Sequence, residues 1–180
     1  IKSFDIKRLA KSNSLFDRKK LLSFNTEHMR MDGEETLLKN FKVYLKEVDS
    51  PVQQADDELM KELLRANEGA RTLADIDAKC RFIFVDNDNI EYNPKAVKKV
   101  IKKANALEIL AEIRKRFAAM EEVTAENIEK LLRDLASEKE VGLGKVAQPL
   151  RVAITGNTVS PPIFESVKFI GMDNTLERID

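Results

Sequence analysis

Residues 37–48 read Leu37-Leu38-Lys39-Asn40-Phe41-Lys42-Val43-Tyr44-Leu45-Lys46-Glu47-Val48. Leu37, Leu38, Phe41, Tyr44, Leu45 and Val48 recur at the spacing of one face of a 3.6-residue helix, with Lys and Glu filling the other face. The same pattern extends in both directions. Upstream, Asp17 precedes a run in which Leu21, Phe24 and His28 share a face, and Asp32-Gly33 is a stop. Downstream, Ser50-Pro51 breaks the chain, and Leu59, Met60, Leu63 and Leu64 mark a helix that Asn67 and Gly69 end. Thr72 with Asp75 three residues on has the form of a capping box. The helix it opens carries Ile76, Cys80 and Ile83 on one face, so Cys80 reads as a small core residue. Arg81-Phe82-Ile83-Phe84-Val85 reads as a helix end running into extended chain.

Residues 86–93, Asp-Asn-Asp-Asn-Ile-Glu-Tyr-Asn, form a polar linker and a candidate subdomain boundary. Beyond it, Asn93-Pro94 is an N-cap with Pro at the first helical position, opening a helix through Val97, Val100 and Ile101. Asn105 is placed to cap the next, with Leu107, Leu110, Ile113 and Phe117 facing inward. Thr124 opens another that buries Ile128, Leu131, Leu132 and Leu135, ended by Val141-Gly142-Leu143-Gly144. A run through Leu150 and Ile154 stops at Gly156, Ser160-Pro161 starts a helix that stops at Gly171, and a short helix closes the chain. The expected fold is all-α, an irregular bundle of about nine or ten helices in two subdomains.

The chain has 180 residues, with 31 Lys+Arg, 31 Asp+Glu, one His and one Cys. One Cys with one His excludes a disulfide framework and the usual four-ligand zinc site, and fits a reducing cytoplasm. No apolar run reaches the roughly 20 residues of a membrane helix. Opening on Ile inside an amphipathic segment suggests a piece of a longer protein. The zero net charge hides blocks: residues 1–30 hold eight Lys/Arg against three Asp/Glu and residues 81–120 nine against five, whereas 49–80 hold four against eight and 121–144 three against seven. These blocks read either as the solvated faces of charged helices or as basic surfaces that converge on a polyanion.

Catalytic patterns are missing. There is no glycine-rich phosphate loop, no His-Glu-x-x-His and no Gly-x-Ser-x-Gly, and His28 has no nucleophile at a recognisable spacing. Paired carboxylates such as Asp56-Asp57 and Glu121-Glu122 sit where helix N-termini favour negative charge.

Two segments carry a resemblance. Leu15-Phe16-Asp17, Lys20-Leu21, Phe24-Asn25 and His28-Met29-Arg30 lie near the start. Near the end are Gly144-Lys145-Val146-Ala147-Gln148-Pro149-Leu150-Arg151-Val152-Ala153-Ile154-Thr155-Gly156, Ser160-Pro161 and Ile163-Phe164-Glu165. Together they resemble the C-terminal half of bacterial-type glutamyl-tRNA synthetases, with weaker matches at Thr72-Leu73 and Lys79 to Phe84 between them. The resemblance implies the end of a stem-contact domain at 1–32 and two helical anticodon-binding subdomains at 33–88 and 89–180. It implies a monomeric, cytoplasmic RNA-reading part with glutamate tRNA as partner, and neither DNA nor a membrane. The whole enzyme of that family uses ATP and Mg²⁺ to join glutamate to tRNA. Its two ATP-handling motifs are absent here, so the 180 residues alone are expected to bind no cofactor and to be inactive.

By the same resemblance, Arg151 contacts the first anticodon base, while Ser160, Pro161 and Ile163 contact the first and second. On the residues alone, Arg151 reads as an internal bridge, Ser160-Pro161 as a cap and Ile163 as core. Gly69 stands where family members restricted to glutamate tRNA often carry an Arg that reads the third base. This departure points to an enzyme that also charges glutamine tRNA, unless Gly69 merely stops its helix and Arg71 or another basic residue reaches the same base. The competing class is a helical protein-interaction module with no RNA partner; an RNA-binding paralogue detached from catalysis is a third reading.

Overall fold

A computed structural model describes residues 16–103 and 105–180. Ten α-helices run through them, joined by short 3₁₀ turns and one π-helical turn, with no strand among the described residues. The first four are α1 (Arg18–Met31), α2 (Glu34–Glu47), α3 (Asp57–Ala66) and α4 (Leu73–Cys80). The helix starts follow their caps. Asp17 Oδ1 accepts from the N–H groups of Lys19 (2.9 Å) and Lys20 (3.1 Å), Asp56 caps α3, and Thr72 Oγ1 accepts from Asp75 N–H at 3.1 Å. Leu38, Phe41 and Leu45 of α2 pack with Met60, Leu63 and Leu64 of α3 and with Ile76 and Cys80 of α4 in one cluster. Val48, assigned to the same stripe from its spacing, lies past the end of α2 and is exposed. In α2 the end is closed by Ser50 N–H donating to Leu45 C=O, with Asp49 in the left-handed conformation that glycine usually takes there.

Cys80 is fully buried in this cluster, and burial pushes its thiol up to about 12. We expect a thiol reagent such as DTNB to label Cys80 at neutral pH only as fast as the chain unfolds. Rapid stoichiometric labelling of native protein would contradict the packing. Above pH 9 an unfolded chain loses a proton that the folded one keeps, so this thiol's contribution to stability falls between about pH 9 and 12.

The remaining helices are α5 (Pro94–Ala96), which runs into the π-helical turn Val97–Ile101, then α6 (Ala106–Ala118), α7 (Ala125–Glu138), α8 (Leu143–Thr155), α9 (Ile163–Ile170) and α10 (Met172–Ile179). Their core joins Ile109, Leu110, Ile113 and Phe117 of α6, Ile128, Leu132 and Leu135 of α7, Val146, Leu150 and Ile154 of α8, and Ile163, Val167 and Ile170 of α9. Helix α8 lies centrally, in contact with α6, α7, α9, α10 and the π turn.

Three local expectations change. Leu107 is 67% exposed, because α6 turns Ala106 and Ile109 inward. Asn105 sits at φ 71 and makes no side-chain cap; capping needs the extended backbone that Asp17 and Thr72 adopt. The Val141 to Gly144 stretch does not end α7. Glu140 takes the left-handed position (φ 53), Val141 N–H donates to Ala136 C=O at 2.9 Å, Gly142 precedes α8 and Gly144 lies inside it. Helix α1 has no buried residue, and Leu21, Phe24 and His28 are exposed.

Candidate nucleic-acid interface

The turn between α8 and α9 is built from the end of α8. Gly156 closes that helix at φ +71, and a Cβ there would run into the Glu91 carbonyl oxygen. Asn93 N–H donates to Gly156 C=O at 2.9 Å, and the Tyr92 hydroxyl donates to Ala153 C=O at 2.9 Å, so residues 91–93 brace the helix end from outside. Burial raises the Tyr92 phenol above its ordinary pKa, which keeps it a donor.

Arg151 lies one turn before Gly156 and reaches back over this turn. Its Nη1 donates to Pro161 C=O (2.8 Å), to Ser160 C=O (3.3 Å) and to Ser160 Oγ. Ser166 Oγ, fully buried on α9, lies 3.1 Å from Ser160 Oγ and donates to Pro161 C=O at 3.2 Å. With its hydroxyl turned inward, Ser160 cannot cap α9. That helix starts at Ile163 after Pro162, two residues later than Ser160-Pro161 implies. Pro161 is buried, and Ile163 is 4% exposed within the second core.

The structure thus brings Arg151, Ser160 and Pro161 into one hydrogen-bonded group, with Ile163 packed beneath. Gly69 lies apart from them, exposed in the turn between α3 and α4. Asn67 performs the stop that was the alternative role for Gly69: its N–H donates to Leu64 C=O, and its buried side chain donates to Leu63 C=O at 2.8 Å. Gly69 is outside the left-handed region, and a Cβ on it meets nothing within 4 Å.

Two atoms of α8 stand out. Arg151 Nε and Gln148 Oε1, a donor and an acceptor one turn apart, are buried without a hydrogen-bond partner among the described residues. A buried polar atom left unpaired costs about 1–3 kcal/mol. Desolvation also pulls Arg151 below the ordinary arginine pKa, and no described carboxylate pairs with it.

Sequence reasoning missed Ser166, Gln148 and Arg178. Ser166 was within reach, because it interrupts the stripe Ile163, Val167, Ile170 at a core position. Arg178 was not: from the last helix it donates to Phe82, Val85 and Ile154 carbonyls and to Asn87 Oδ1, all remote in sequence.

Comparison with known proteins settles which family this geometry serves. The anticodon binding domain family matches residues 24–180, nearly the whole chain. The chain belongs to that family. It is 37% identical over 185 residues to a glutamate–tRNA ligase of Thermodesulfovibrio yellowstonii, covering 99% of this chain and 38% of that protein. It is 34% identical over 179 residues to glutamate–tRNA ligase 2 of Fervidobacterium nodosum, covering 99% of this chain and 37% of that protein. It therefore spans well under half the length of the curated relatives it matches. Among solved structures, a glutamate–tRNA ligase of Elizabethkingia meningosepticum in complex with its amino acid aligns with TM-score 0.75 and 25% identity, over 98% of this chain and 34% of that one. Glutamate–tRNA synthetase of Elizabethkingia anophelis aligns with TM-score 0.72 and 26% identity, over 98% of this chain and 33% of that one. The chain corresponds to the C-terminal, anticodon-binding part of these ligases.

Proposed function

We propose that the chain reads the anticodon arm of glutamate tRNA for a glutamate–tRNA ligase, acting in the cytoplasm within a monomeric longer enzyme. The observation that carries this is the α8–α9 turn: in a chain of the anticodon-binding family, Arg151 orders Ser160 and Pro161 beside it. Anticodon bases are unstacked and are read by flat stacking groups and edge hydrogen bonds, which a guanidinium can supply. The unpartnered Arg151 Nε and Gln148 Oε1 are a donor and an acceptor buried on α8, which a base edge satisfies only where these side chains turn outward to meet it.

Two cores support two helical subdomains, proposed at 33–88 and 89–180, with Phe82 reaching into the second core and Phe169 packing on the first. The exposed Leu21, Phe24 and Met31 of α1 suit residues 1–32 as the end of a stem-contact domain that packs against the rest of a longer protein. ATP and Mg²⁺ belong to that longer enzyme. The chain carries neither ATP-handling motif, and no cluster of three metal-ligating side chains forms among the described residues. The purified 180 residues should bind glutamate tRNA in a gel-shift titration and form no glutamyl-adenylate. Failure to bind any tRNA, or adenylate formation, would overturn the assignment.

Gly69 extends the proposal to glutamine tRNA. Its backbone does not require glycine and its surroundings are open, so an arginine could stand there, and its lack leaves the third anticodon position unread from this site. In the longer enzyme, Gly69→Arg should lower charging of glutamine tRNA relative to glutamate tRNA by about tenfold or more, the scale of one bidentate base contact. A wild type that already rejects glutamine tRNA would contradict relaxed specificity.

A further inference from the structure

Lys95 of α5, Lys98 and Lys99 of the π-helical turn that follows it, and Lys102 and Lys103 just past that turn make five lysines within nine residues. They alternate with Ala96, Val97, Val100 and Ile101, which are buried or half-buried, so all five project from the solvent side of the segment. Those four apolar residues pack inward, and all five lysines are exposed. The solvent face of this segment is therefore composed of lysine almost alone.

None of the five makes an ion pair with a described carboxylate, although the chain pairs clustered cations elsewhere. In the adjoining α6, Arg114 is bound to Asp180 and Arg116 to both Glu112 and Glu138. Five like charges crowded into nine residues repel one another, and in a chain with equal numbers of acids and bases nothing in overall composition requires them. A polyanion would remove that repulsion. The segment packs on α8, the helix that carries Arg151, and residues 91–93 leading into it brace the α8–α9 turn.

We propose that this lysine face holds the phosphate backbone of the RNA stem whose loop meets the α8–α9 turn; the proposal rests on the anticodon-arm reading above. Phosphates spaced along a strand are matched by ammonium groups spaced along a helix, and such contacts position the RNA without reading sequence. A lipid surface fits less well. A membrane-bound amphipathic helix inserts its apolar face, and here that face is already used against α6 and α8.

The test titrates the 180-residue chain with glutamate tRNA, and with the same tRNA carrying a changed anticodon, across a series of salt concentrations. Three proteins are compared: wild type, the triple variant Lys98→Gln, Lys99→Gln, Lys102→Gln, and a control with the same charge change at Lys39, Lys46 and Lys139. The lysine-face variant should bind both tRNAs about tenfold or more weakly near 0.1 M salt, with the slope of log K against log salt smaller by about 2 to 3. The control should keep most of the affinity, and Lys→Arg changes at the same three sites should restore binding. Equal circular dichroism spectra exclude misfolding. A wild type that binds with anticodon preference and a lysine-face variant indistinguishable from it would overturn this proposal alone; a wild type that binds no tRNA would sink the anticodon-arm reading as well. Loss of binding to phosphatidylserine vesicles with RNA binding unchanged would give the patch to a membrane and equally overturn it.

Discussion

Arg178→Met lowers the stability of the second core by about 3 kcal/mol or more, the cost of leaving several buried acceptors unpaired at once. Arg178 is 8% exposed and makes no ion pair with a described carboxylate; its charge is held by oxygen dipoles instead. Nη1 donates to Phe82 C=O (3.0 Å) and Ile154 C=O (2.9 Å), Nη2 to Val85 C=O (2.7 Å), and Nε to Asn87 Oδ1 (2.6 Å). None of these carbonyls has a full helical partner set: Ile154 is in the last turn of α8, and Phe82 and Val85 lie where the chain leaves α4 for the linker. One guanidinium thus ties the linker to the end of the helix that carries Arg151. Arg178→Lys should lose most of the same stability, because a single ammonium cannot span four acceptors on different segments. Urea unfolding followed by circular dichroism checks this, and a loss under about 1 kcal/mol would show that water replaces the side chain freely.

Arg151→Ala should weaken binding of glutamate tRNA by about 1–3 kcal/mol, roughly 5- to 150-fold, the scale of one good base contact. Read from sequence alone, the change should leave the fold intact. The geometry adds a cost, because Arg151 Nη1 also orders the turn through Ser160 and Pro161, so stability should fall by about 1–2 kcal/mol. Arg151→Lys separates the two effects. An ammonium can still donate to the turn carbonyls, whereas it offers neither a stacking plane nor a fork. The lysine variant should keep most of the stability and lose most of the preference for the cognate anticodon. Unchanged tRNA affinity in both variants would return Arg151 to a purely structural role.

How much of this was legible follows from the range of each interaction. Caps and apolar periodicity are local, so Asp17, Thr72, Thr124 and the stripes of α2, α3 and α7 announce themselves. Errors came where backbone conformation, rather than composition, decides. Asn105 has a capping side chain on a left-handed backbone, Glu140 takes a position that glycine usually holds, and a leucine at 107 points outward because α6 begins one step out of phase with the apolar count. The α8–α9 turn was visible as a motif but not as a geometry. Arg151 is the internal bridge, and the proposal gives it a base contact as well, two readings that spacing treats as alternatives. Ile163 likewise is core, and any contact it makes with RNA must come through its backbone or through a shift of the turn. Arg178 was illegible for a plain reason: its partners are backbone carbonyls, which leave no trace in side-chain identity.

The most direct measurement is a titration of the 180-residue chain against tRNAs that differ only in the anticodon, at fixed salt. Anticodon-arm reading through Arg151 and the Ser160-Pro161 turn predicts at least about tenfold tighter binding of the glutamate anticodon than of one changed at its first two bases. Equal affinity for all the anticodons would contradict it.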